Sequence, residues 1–169
     1  MSLGDTVRNL ISSKINDPIN SQKEKVKVII QKIRSGGGNG AVAKAQNILN
    51  KVNELQEVQT QFENYLQQAR NLIRASEALR KTAEALREAN SVGSALNPAA
   101  AAIALVQEKL VTKFKEEIED IKSAADSIGP AVNKLKKSIL KMKDDLNQAI
   151  KDKKQSDDVK AKRDAQLGK

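Results

Sequence analysis

The chain contains no cysteine, histidine or tryptophan. Lacking cysteine, it has no disulfide framework; lacking histidine as well, it has no zinc site of Cys/His type. The same absences remove every Ser-His-Asp and Cys-His nucleophile system. Phe62, Tyr65 and Phe114 are the whole aromatic complement, too few for a platform on which nucleic-acid bases stack. Eight glycines and three prolines in 169 residues leave long stretches with nothing to interrupt a helix. Long apolar runs are also missing. The most apolar stretch, residues 98–106, is mostly alanine, whereas a membrane span takes about 20 predominantly apolar residues. The first 15 residues show no basic start followed by an apolar core. The expectation is a chain without a secretory signal or membrane span, intracellular or built into a virion inside a cell. No catalytic, metal-binding or cofactor-binding residue set stands out, so a non-enzyme with no cofactor is expected.

Charge and periodicity are what the sequence does have. Thirty Lys and Arg against 21 Asp and Glu leave a net +9. The excess sits at the ends: +4 in residues 1–35 and +3 in 151–169, against +1 in each of 41–90 and 98–150. A heavily charged but balanced middle reads as a solvated helix surface. Basic ends keep a particle soluble, or meet an acidic partner, a phosphate backbone or an anionic membrane.

Leu3, Val7, Leu10, Ile11 and Ile15 mark one face of a short helix. Asp17-Pro18 is expected to end it and to cap a second helix carrying Ile19, Val26, Ile29, Ile30 and Ile33. Gly36, Gly37, Gly38 and Gly40 follow, a linker too costly in backbone entropy to stay helical and therefore an expected hinge at 36–40. Residues 1–35 are read as an N-terminal helical arm.

Residues 41–90 carry a heptad pattern. Its a positions are Ile48, Leu55, Phe62, Ala69, Ser76 and Ala83; its d positions are Val58, Tyr65, Leu72, Leu79 and Leu86. Val52, Leu66 and Ile73 widen the stripe at e, giving this helix a second neighbour. In residues 98–150 the a series is Val111, Ile118, Ala125, Val132, Ile139 and Leu146; the d series is Phe114, Ile121, Ile128, Leu135, Met142 and Ala149. The register is unbroken across Gly129-Pro130, which indicates one kinked helix or two stacked helices sharing one stripe. Both stripes have the same length, and folding Leu86 onto Val111 brings Ile48 onto Ala149. The midpoint falls near 91–98, where Gly93 and Asn97-Pro98 supply turn chemistry.

The expected fold is all-α: a long antiparallel helical hairpin of coiled-coil type over 41–150, about 58 Å long at 1.5 Å per residue. Leu55, Phe62, Leu72, Leu79 and Leu86 would face Phe114, Ile118, Ile121, Ile128 and Leu135 as an interaction stripe. Two helices cannot hide two broad stripes, so the N-terminal helices or other chains must cover the remainder. Residues 151–169, with eleven charges, read as a disordered tail.

Three clusters compete with a purely structural role. Gly36, Gly38 and Ala41 match the spacing G-x-G-x-x-A of dinucleotide-binding turns, which requires a strand over 26–33 before it; the missing second strand favours a hinge. Glu116, Glu117, Glu119 and Asp120 are flanked inward by Phe114, Ile118 and Ile121, so these carboxylates should face solvent. Lys134, Lys136, Lys137, Lys141 and Lys143 form a basic face, and residues 23–34 form another. Either suits an anionic membrane or a nucleic acid.

In style, the helical segment 47–90, the alanine-rich stretch 98–106 and the composition free of Cys and Trp resemble small α-helical structural proteins of tailed-phage virions. That resemblance implies a part of a tail, baseplate or neck assembly, with protein partners and no small-molecule substrate.

Overall fold

The computed structural model describes residues 2–94 and 98–168, with the backbone alone for 39, 90–94, 98, 100 and 104. Four α-helices account for nearly all of it: α1 (Leu3–Ile11), α2 (Asp17–Arg34), α3 (Asn39–Ser94) and α4 (Pro98–Leu167). Among the described residues there is no strand. The chain forms two compact units. One joins Met1–Leu10 with Phe62–Pro130, the other Ile11–Gln61 with Ala131–Lys169.

Pro18 does not end a helix as expected. A π-helical turn, Ser12–Asn16, connects α1 directly to α2, and the Asp17 N–H donates to Ser12 O. Proline lacks an N–H and crowds the carbonyl one turn back; a wider turn just before it relieves that crowding while the chain stays helical. Asn16 has helical angles, φ −65° and ψ −49°, and makes no side-chain cap. The expected cap at Asp17-Pro18 is therefore absent.

α2 ends at a Schellman motif. Gly36 has φ +89° and donates to Ile33 O, while Gly37 N–H donates to Lys32 O at 2.8 Å. A Cβ on Gly37 would lie 2.6 Å from Lys32 O. The glycine linker is thus a hydrogen-bonded turn, and Gly40 already belongs to α3.

In the first unit, the start of α1 sits against α4. Leu3 and Gly4 N–H donate to the two carboxylate oxygens of Asp120 at 3.2 and 3.4 Å, and Asp5 N–H donates to Ser2 Oγ. These are the donors that a helix leaves unpaired at its start, and an anion there also meets the positive end of the helix dipole. Gly4 is buried; a Cβ on it would stand 2.9 Å from Ser123 Oγ. In the second unit the core draws on Ile15, Ile19, Val26, Ile29 and Ile33 from the N-terminal segment, Ala45, Val52 and Leu55 from α3, and Val132, Leu135, Ile139, Met142 and Leu146 from α4.

α4 is continuous through Gly129-Pro130, with Pro130 exposed as its outward register position requires. It continues to Leu167, so the segment expected to be a disordered tail is helical. Nothing between Ala131 and Leu167 breaks a helix, and Lys153–Asp157 (2.9 Å) and Gln148–Asp152 (2.8 Å) support it at i,i+4 spacing. The expected turn near 91–98 falls on residues 95–97, which lie outside the described residues.

Two predictions test these local determinants. Asp120→Ala should cost about 1 kcal/mol in urea denaturation by uncapping α1. Gly36→Ala should destabilise by about 1 kcal/mol because of its positive φ, whereas Gly40→Ala should stabilise by about 0.5 kcal/mol as a better helix former.

Candidate interaction surface

The ten residues of the expected stripe do not share one environment. Leu55, Phe62, Ile118, Ile128 and Leu135 are buried, and Phe114 and Ile121 are half-buried. Leu72, Leu79 and Leu86 are 54%, 55% and 51% exposed, and Tyr65 in the same series is exposed too, its ring edge-on to Phe62. The stripe of α4 is inward almost throughout; that of α3 divides.

Register explains the division. From Phe62 onward, the positions of α3 that lose solvent are Phe62, Ala69, Ser76 and Ala83 together with Leu66, Ile73, Arg80 and Arg87, and beside them Glu77 and Glu84. These are the a and e positions, with two b positions at their edge. The d series is left outside. Both pairs of positions give the same three-and-four spacing, so both are valid helix faces. The choice has an electrostatic consequence. Arg80 and Glu84 pair at 3.1 Å with their side chains 25% and 29% exposed, Glu84 also reaches Lys115 (3.9 Å), and Glu77 reaches Lys122 (3.5 Å). Half-buried arginine thus lies inward of half-exposed leucine on one helix, the reverse of ordinary partitioning.

Ile103, Leu105, Val106 and Leu110 of α4 are exposed as well. The unit therefore presents much more large apolar surface than scattered single residues would.

The second unit presents charge instead. A groove of about 620 Å³ between α2 and α4 is lined by Lys23, Lys27 and Arg34 from one side and Lys137 and Lys141 from the other, over Val26, Ile30 and Met142. Asp145 is its one acid. The two basic stretches singled out separately in the sequence meet here. Lys134 and Lys136 are exposed elsewhere, and Lys143 is half-buried.

The other candidates resolve simply. Residues 26–33 lie within α2, so the strand that a dinucleotide turn requires before Gly36, Gly38 and Ala41 is a helix. Glu116, Glu117 and Glu119 are exposed, but Asp120 is not a free solvent carboxylate, because it caps α1. Among the described residues no group of three or more His, Cys, Asp or Glu could hold a metal ion. Among them, too, no helix is long and apolar enough to cross a membrane. No family model, curated protein or solved structure matches the chain.

The division of the stripe predicts opposite responses to substitution. Ile128→Ala and Leu135→Ala should each cost about 3 kcal/mol of stability by opening a core cavity. Leu72→Glu and Leu79→Glu should each shift the stability of the isolated chain by no more than about 0.5 kcal/mol.

Proposed function

We propose that this chain is a non-enzymatic structural protein that assembles through apolar helix faces, against copies of itself or a larger partner. The reading agrees with its resemblance to helical parts of phage tails and baseplates. The observation that carries it is the solvent-facing series Tyr65, Leu72, Leu79 and Leu86, a regular heptad that its own unit leaves uncovered. A helix that only had to complete its own unit would have no use for leucine at those positions.

The underlying architecture is a long helical hairpin. Its support in the first unit is the pair of interhelical contacts Glu84–Lys115 and Glu77–Lys122: seven residues back along α3 correspond to seven forward along α4. That is the antiparallel sense, two residues from the alignment of Leu86 with Val111.

A second reading is favoured by the basic groove of the other unit. Lys23, Lys27, Arg34, Lys137 and Lys141 converge there, an arrangement suited to anionic lipid head groups or a phosphate backbone. The two readings differ in salt response. Polyanion binding weakens steeply as salt rises, whereas apolar association does not.

Light scattering coupled to size exclusion separates them. The structural reading predicts a discrete higher-mass species that survives high salt and is lost on Leu72→Glu plus Leu79→Glu. A mass indifferent to those substitutions would overturn it. Salt-sensitive vesicle binding lost on Lys137→Glu plus Lys141→Glu would favour the second.

A further inference from the structure

The outer face of α3 in the first unit carries no charge. Between Tyr65, Leu72, Leu79 and Leu86 stand Gln68, Ala75, Thr82 and Ala89, all exposed. Asn71, Ala78 and Ala85 form an exposed and equally uncharged flank. The ionic residues lie elsewhere on the helix: Glu77, Arg80, Glu84 and Arg87 toward the unit's own interior, Glu63 and Arg70 at exposed b positions, and Arg74, Lys81 and Glu88 beyond the flank. Spacings of three and four alternate from 65 to 89, about three and a half heptads, the length at which a seam supports a coiled coil.

Building on the association reading above, we propose that this seam is covered by the same seam of a second copy, antiparallel, about a two-fold axis at the level of Glu77. The order of side chains along the helix points to this occupant. Antiparallel two-fold pairing sets residue i against residue j with their sum fixed. Centred on Glu77, it brings Tyr65 to Ala89, Leu86 to Gln68, Leu72 to Thr82 and Leu79 to Ala75. Every layer combines one bulky residue with a less bulky one, so the layers fill evenly. Parallel pairing would stack leucine on leucine in one layer and alanine on alanine in another, crowding some layers and hollowing others.

Charge and area agree with a second copy. Neither the seam nor its flank brings like charges together. The nearest cations, Arg74 and Lys81, lie outside the flank, so salt screens them and does not weaken the pair. Covering seam and flank removes on the order of 600 Å² from each copy, about 1,200 Å² in total, which reaches the lower range of specific interfaces. Centring on Glu77 is the register that engages all eight seam positions; an isologous contact needs such self-complementarity, whereas an unrelated partner does not.

The chain has no cysteine, so single cysteines report the geometry. Ala78→Cys places the two thiols within a turn of the axis. Ala89→Cys places them about 36 Å apart along the helices, far outside disulfide reach of about 7 Å between Cα atoms. Under mild oxidation of the full chain, Ala78→Cys should form a covalent dimer, and Ala89→Cys at least ten-fold less. Adding Leu79→Glu should abolish the Ala78→Cys product. Equal cross-linking of both variants, or none from Ala78→Cys beside a Leu79-dependent oligomer, overturns this arrangement and leaves the association reading standing. A mass indifferent to Leu72 and Leu79 overturns both.

Discussion

A helix has one circumference to share among its neighbours, and α3 carries more apolar surface than its own unit covers. Its a positions, Phe62 and Ala69 among them, are common to two overlapping faces. One adds e, the other adds d. Taking a with e buries Leu66 and Ile73 partway and draws Arg80, Glu84 and Arg87 toward the interior, where ion pairs with one another and with α4 lessen the cost of partial desolvation. Tyr65, Leu72, Leu79 and Leu86 are then left facing water.

Much of the fold was legible in the sequence where only one choice of face existed. Between Val111 and Ala149, α4 carries its large apolar residues at a and d with the single exception of Leu140, so Val132, Leu135, Ile139, Met142 and Leu146 are buried as their spacing requires. α2 is similar, with Ile19, Val26, Ile29 and Ile33 inward. α3 was ambiguous because apolar residues occupy d and e alike, and hydropathy by itself favours the leucines of d. The structure takes the other face, a choice that no pattern local to α3 decides.

The local departures have equally specific causes. Asp17-Pro18 has the composition of a helix start, but a π turn keeps proline within a continuous helical path. Asp120 looked like one carboxylate in a solvated run, yet its partners are amide groups 116 and 117 residues away, and no local pattern encodes such a contact. The small size of Gly4 was the available signal, since it admits the close approach to Ser123. The basic groove likewise joins two lysine-rich stretches distant in sequence, each of which reads alone as an ordinary polar face. The two units therefore offer different surfaces, one apolar and uncharged along α3, the other cationic between α2 and α4.

Hydroxyl-radical footprinting across a protein concentration series measures the exposure of the α3 leucines directly. If the outer face is an association surface, Leu72, Leu79 and Leu86 should be oxidised readily in dilute solution and become protected together as concentration rises, while Val159, on the exposed end of α4, should not change. Oxidation of the three leucines that stays the same at every concentration, or protection that spreads equally to Val159, would contradict the account.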